Sequence, residues 1–207
     1  MMPVNWEKEL FERTYWKSDL PTGCSGEVKI ERFEVTPLSK DELSGNTNPV
    51  TGWGKRIPGW YTRLYIGQTV MMTDLYEEWW SQRHAIREAY NRGGHVLISG
   101  LGIGLIIDAL LKPPRTTVQK VTVLEQNEHV IQLVAEHFLQ KYPDKLSIIH
   151  TDALTWTPPD PSHYQVVWHD IWPYPRMVPT EEIDRLRKKF SSCSDWQGFW
   201  TIESFAE

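Results

Sequence analysis

The sequence predicts an α/β protein, a doubly wound parallel sheet preceded by a small β-rich N-terminal element. Beyond residue 93, short apolar runs suited to buried strands alternate with amphipathic helical stretches, and a glycine-rich turn follows the first of those runs. Upstream of Asn91-Arg92-Gly93-Gly94 the pattern instead has period two, broken by turn residues. The chain's 207 residues hold one mid-sized domain, or one with an appendage. Its content of 40% hydrophobic and 24% charged residues suits a buried core and excludes a disordered or fibrous chain.

In order along the chain, Glu27, Val28, Lys29, Ile30 and Glu31 alternate, and Phe33 and Val35 resume the alternation one residue out of phase, as a bulged strand would. Residues 36–59 read as a loop, because Thr36-Pro37, Gly45-Asn46, Asn48-Pro49 and Pro58-Gly59 place turn chemistry at short intervals. Strands are expected at 60–66 and 69–72, which closes the N-terminal element at residue 73. Asp74 and Glu77 have the spacing of a capping box opening a connecting helix over 74–92, with Leu75, Trp79, Ile86 and Tyr90 on one face. The main domain, 93–207, then carries strands at 95–99, 121–125, 146–150, 164–169 and 198–203. Its helices fall at 105–111, stopped by Pro113-Pro114, around Val130, Val134 and Phe138, and at 180–190. No further strand pattern follows the last strand, so its apolar edge needs cover, from the N-terminal element or from a second copy, and a homodimer is expected.

Charge and cysteine content narrow the function. With 22 Lys plus Arg against 27 Asp plus Glu, net −5, there is no global basic field to hold a nucleic acid, although a local patch stays open. Cys24 and Cys193 are too few for a disulfide framework and lack zinc-site spacing, so no metal is expected and a reducing, cytoplasmic setting is. Glu7, Glu9, Glu12 and Asp19 argue against a signal peptide, and no apolar run nears the roughly 20 residues of a membrane span. The 11 tryptophans read as packing or as aromatic binding surface.

Three features carry chemistry. Val96-Leu97-Ile98-Ser99-Gly100-Leu101-Gly102-Ile103-Gly104 is a buried strand running through a glycine turn into a helix, which brings backbone close to a ligand or simply makes a tight connection. A dinucleotide fingerprint wants glycine at its first, third and sixth positions, but here the fifth is Gly104 and the sixth Leu105, which tilts away from NAD. Glu125 ends the second strand, where a carboxylate accepts ribose hydroxyls or is merely solvated. Past the third strand, Asp152 and Ala153 leave room for a flat base and an acceptor for its amine, or Asp152 caps a turn. All three lie at the strand ends where open α/β sheets bind ligands.

From about Thr73 to Phe199 the chain resembles the class I S-adenosylmethionine-dependent methyltransferases, and within them is similar to the spermidine-synthase-like branch. The matching stretches are 96–104, 121–131, 146–153 and 164–170. The resemblance implies a Rossmann-like sheet, a shortened version of that fold, and S-adenosylmethionine as cofactor. It passes Gly100, Gly102 and Gly104 under the methionine and ribose, puts Glu125 on the ribose and flanks the adenine with Asp152 and Ala153; Leu101 and Gln126 join the cofactor-binding set. Asp170, at the end of the fourth strand, is the expected catalytic residue, orienting the nucleophile of a small or macromolecular acceptor whose identity is open.

Two departures bear on the reaction. The aminopropyl-transferring branch has a second acid where this chain has Pro173, and Asp170-Ile171-Trp172-Pro173-Tyr174-Pro175 only echoes the motif of amine methylation. Trp168, Trp172 and Tyr174 either wall the acceptor or pack, and His169 is either a base or a hydrogen-bonded structural residue. Arg185, Arg187, Lys188 and Lys189 read as a solvated helix face, with the two lysines complementing the helix C-terminus. The expected activity is methyl transfer; a non-catalytic cofactor-binding protein and an aminopropyltransferase-like enzyme are the alternatives.

Overall fold

Residues 6–36, 58–113 and 116–205 are described by a computed structural model. Helix α1 (Trp6–Thr14) precedes an antiparallel sheet of β1 (Gly23–Ser25), β2 (Val28–Val35), β3 (Gly59–Ile66) and β4 (Thr69–Thr73), paired in that order. The expected bulge in β2 is absent: its register with β3 runs unbroken from Val28↔Ile66 to Val35↔Gly59. The phase change has another cause. Val28 and Ile30 enter the core, whereas Phe33 lies on the opposite face, its ring 6.1 Å from that of Tyr61 and under the Arg63 guanidinium. The one register shift in this sheet falls between Leu64 and Tyr65, where β3 meets β4. Of the expected loop at 36–59, residues 37–57 lie outside the described residues.

The expected capping box does not form. Helix α2 (Tyr76–Arg92) is entered through an extended Leu75 without a side-chain cap. The buried Asp74 carboxylate instead accepts the backbone N–H groups of Thr62 at 2.6 Å and Ser18 at 2.8 Å. A buried backbone donor at Thr62 that needs an acceptor wins over the helix end.

The main sheet contains β5 (Gly94–Ser99), β6 (Val118–Glu125), β7 (Leu146–His150), β8 (Val166–His169) and β9 (Gln197–Phe199), all parallel, in the order β7-β6-β5-β8-β9. Helices α3 (Leu105–Leu111), α4 (Glu128–Lys141) and α5 (Thr180–Phe190) complete a Rossmann-like, doubly wound fold. Alternation along β5 sends Val96 and Ile98 to one face, where Ile86 of α2, Ile107 of α3 and Phe138 of α4 pack. It sends Leu97 to the other face, with Leu186 and Phe190 of α5. Each fully buried aliphatic or aromatic side chain contributes about 1.5–3 kcal/mol by leaving water.

The N-terminal sheet packs on α4. The Asp19 carboxylate pairs with His137 at 2.8 Å and Lys141 at 3.1 Å, and Ser25 Oγ lies 3.0 Å from His129 Nδ1. One apolar cluster runs through both sheets, from Leu20, Ile30 and Leu64 to Val130 and Phe138.

Two strand expectations change. Tyr164 makes only an isolated bridge to Ser194, and β8 begins at Val166. The last strand stops at Phe199, not residue 203, because the Trp200 indole N–H turns back to Ser81 Oγ at 2.9 Å and a 3-10 turn follows at Ile202–Phe205. The buried Arg83 holds that turn by donating to the Ser204 carbonyl at 2.9 Å. An edge of three residues offers a short ladder to a second copy, and short edges are one way proteins limit such pairing. Among the described residues no helix is long and apolar enough to cross a membrane.

Candidate functional site

The C-terminal ends of β5, β6, β7 and β8 open into one cavity of about 310 Å³, roofed by Leu64, Ile66, Met71 and Met72 of the β3–β4 hairpin. That volume is at the small end for ligand pockets, which run from about 300 to 1,000 Å³. The wall contains Gly100 and Gly102 from the loop after β5, Glu125 and Gln126 from β6, Asp152 and Ala153 after β7, and Asp170 after β8. Residues from four separate strand ends are thus brought together where the strand order reverses.

Gly100 has φ +98°, and a Cβ there would lie 2.1 Å from the Asp170 carbonyl oxygen, so only glycine lets the β5 and β8 loops pass. Gly104 is required for a different reason: at φ +71° its Cβ would enter the Phe138 ring at 2.1 Å. It packs a helix and does not line the cavity. Leu101 is also absent from the wall; its side chain is buried, and its N–H donates to Glu125 Oε2 at 2.8 Å. The other Glu125 oxygen accepts the Asn127 N–H at 2.8 Å, while Asn127 Oδ1 caps α4. Each carboxylate oxygen keeps a second lone pair for a hydroxyl donor.

Asp152 caps a turn and also faces the cavity. Oδ1 accepts the Leu154 N–H at 2.8 Å and shapes the turn, and the residue still lines the cavity. That turn is fastened from behind by Lys189, whose Nζ donates to the carbonyls of Ala153 at 2.8 Å and Leu154 at 2.6 Å. Lys189 therefore departs from the expected solvated face, and burial lowers its pKa.

Asp170 Oδ2 accepts an N–H of Gln82 at 2.6 Å, and burial pushes the carboxyl up to about 7. Glu78, one turn before Gln82 on α2, is pushed up to about 8 by burial and then by the charge of Asp170. Sequence reasoning missed Glu78 and Gln82; their i, i+4 spacing was the available signal, but not which strand end that face would meet.

The aromatics divide. Trp172 lines the cavity and donates its indole N–H to Glu182 Oε2 at 2.6 Å. Trp168 belongs to the core, stacked on Trp196 at 6.3 Å, and Tyr174 is half exposed outside the wall. His169 is fully buried, with Nδ1 2.9 Å from Ser99 Oγ, and burial pushes its pKa down to about 3. It is structural. Met72 is the unexpected neighbour: its Sδ accepts the Ile103 N–H at 3.3 Å and sits over Gly102.

The donor set fits an adenosyl group. Glu125 and Asp152 offer acceptors at neighbouring strand ends, with Leu124, Ala153 and Leu154 as an apolar bed for a flat base. Among the described residues no group of three or more His, Cys, Asp or Glu is placed to hold a metal.

Fold and cleft together define a Rossmann-like protein with a cavity at the switch point of its sheet. No protein-family model matches the chain, and no curated protein matches it. Among solved structures it is similar to the spermidine synthase from Thermotoga maritima, with TM-score 0.47 and 16% identity over 82% of this chain and 52% of that one. It is also similar to the 23S rRNA methyltransferase ErmE, with TM-score 0.43 and 20% identity over 57% of this chain and 45% of that one. A third is an S-adenosylmethionine-dependent methyltransferase from Clostridium acetobutylicum, with TM-score 0.42 and 10% identity over 56% of this chain and 45% of that one. Most such neighbours are S-adenosylmethionine-dependent methyltransferases, and this chain spans about half the length of these three.

Proposed function

We propose that the chain is an S-adenosylmethionine-dependent methyltransferase whose acceptor enters beside Asp170. One observation carries this reading: a single cleft gathers Glu125 and Asp152, suited to a nucleoside, and a third carboxyl, Asp170, across the glycine loop from them. Among the described residues no basic side chain lines it. When bound, the cofactor supplies an electrophilic methyl group on a cationic sulfur. Glu125 holds the ribose, Asp152 and Ala153 receive the adenine, and the β3–β4 roof excludes water. Asp170, poised near neutrality, orients the acceptor and takes the proton that the acceptor loses.

Calorimetry with S-adenosylmethionine, S-adenosylhomocysteine and NAD tests the cofactor assignment: the first two bind and NAD does not. Labelled cofactor offered with small amines, nucleic acids and cell extract then tests turnover. Cofactor binding without any methyl transfer would favour a non-catalytic binding protein. The same reading takes the protein as cytoplasmic and as a two-fold dimer joined at β9, which light scattering would report as twice the 24.2 kDa chain.

A further inference from the structure

We infer that Glu78 is a positioning residue which, as the neutral acid, is linked through the Gln82 amide to Asp170, so that Asp170 is the ionised member of a buried carboxyl pair. The chemical use of this pair rests on the methyl-transfer reading, whereas its existence does not.

Gln82 is 1% exposed and spends one N–H on Asp170 Oδ2 at 2.6 Å. Its carbonyl oxygen, Oε1, is buried and has no donor among the described residues. A buried amide oxygen is rarely left so, and an ionised carboxylate has no proton to offer it. Glu78 sits one helical turn away on the same face of α2, where an i, i+4 side chain reaches its neighbour. As the acid it supplies the missing O–H, and Gln82 then accepts from Glu78 and donates to Asp170.

The surroundings favour this protonation. The charges that act on Glu78 are those of Asp170 at the end of β8 and Glu77 on its own helix, both negative. From β4 it faces only the uncharged Thr73 N–H at 3.5 Å. On the α1 side the charged groups Glu7 and Arg83 face each other at 3.8 Å. Burial and these charges raise both carboxyls, and the hydrogen bonding divides them: Gln82 donates to Asp170, which suits its ionised form, whereas the orphaned Gln82 Oε1 needs the proton of Glu78. In methyl transfer an electron pair of the acceptor atom would form the bond to the methyl carbon as the methyl–sulfur bond breaks and its pair returns to sulfur, leaving the neutral thioether, and the acceptor's N–H, O–H or S–H proton would pass to ionised Asp170.

Carboxyl carbon-13 NMR on the whole chain, titrated from pH 4 to 10, tests the pair with neither cofactor nor acceptor. Its failure is therefore distinguishable from failure of the methyl-transfer reading. The wild-type protein is expected to show two carboxyl groups titrating about 3 units above the ordinary carboxyl range, with Glu78 the later. Glu78→Gln should leave one elevated step, near that of Asp170. Asp170→Asn should lower the Glu78 midpoint by about a unit, the size expected when a coupled neighbour is removed. Midpoints near 4, Glu78 ionising before Asp170, or a Glu78 midpoint unmoved in Asp170→Asn would each overturn the inference. The wild-type titration decides the first two even if a variant does not fold.

Discussion

The carboxylate of Glu125 accepts the backbone N–H of Leu101 at 2.8 Å, so the side chain that faces the cleft also ties the glycine loop to β6. Glu125→Ala removes this bond and the one to Asn127, and charge-assisted hydrogen bonds are worth about 1.5–3 kcal/mol each. The melting temperature should therefore fall by about 6–24 °C, at roughly 2–4 °C per kcal/mol for a chain of this size. S-adenosylhomocysteine affinity should drop at least about tenfold, the equivalent of ~1.4 kcal/mol. If calorimetry finds both unchanged, Glu125 has neither role.

This double duty was only half legible from sequence. A carboxylate at the end of an apolar strand marks a cleft, because strand ends of an open sheet converge there. That it also accepts from Leu101 depends on the path of the loop. Local periodicity was enough for α3, β7 and α5, whose observed bounds match those expected. It failed where distant groups competed for a local signal. Asp74 has the spacing of a helix cap, but Thr62 and Ser18 claim its carboxylate. Trp200 continues a strand-like alternation, but Ser81, 119 residues away, takes its indole N–H. Likewise Gln82 and Asp170 meet only because α2 docks on β8, across 88 residues of sequence.

Lys189 should matter to the cleft without touching its contents. Lys189→Met keeps the aliphatic stem and removes both hydrogen bonds to the Ala153 and Leu154 carbonyls. The turn holding Asp152 loosens, and ligand affinity should weaken several-fold, on the order of 1 kcal/mol for hydrogen bonds of this kind. Hydrogen exchange at residues 152–156 should rise in the same variant. Unaltered exchange there would show that the turn stands without Lys189.

Stability should peak near pH 6.5. Burial holds His169 at about 3 and His84 and His95 at about 4, all below the ordinary value of about 6.5. Their native forms bind fewer protons than the unfolded chain, so the stability present above pH 6.5 is lost as pH falls. Glu78 and Asp170 act in the opposite sense: raised to about 8 and 7, they bind more protons in the native state. Their contribution therefore falls as pH rises toward 8. Above pH 6.5 this second effect outweighs what remains of the histidine one, a net cost on the order of 1 kcal/mol by pH 8 at ~1.4 kcal/mol per pKa unit. Urea midpoints at pH 5, 6.5 and 8 measure it. Glu78→Gln should flatten the alkaline side, and a wild-type midpoint that climbs from pH 6.5 to 8 contradicts the assignment.

Arg83 should govern the end of the described chain. It is fully buried on α2, donates to the carbonyls of Trp80 and Ser204 at 2.8 and 2.9 Å, and lies 3.8 Å over the Trp80 ring. Arg83→Met fills similar space but leaves the Ser204 carbonyl without this donor, and a hydrogen bond from a charged group is worth about 1.5–3 kcal/mol. The loss should be local before it is global, because Ser204 otherwise ties the turn only to its near neighbours, Thr201 and Phe199. Hydrogen exchange at residues 200–204 should accelerate at least tenfold under conditions where β5 and β6 stay protected. With the turn released, residues beyond Phe199 become free to extend β9, so the variant should also self-associate more than the parent in light scattering. Protection at 200–204 that matches the parent protein would mean that the Trp200–Ser81 bond alone holds the turn.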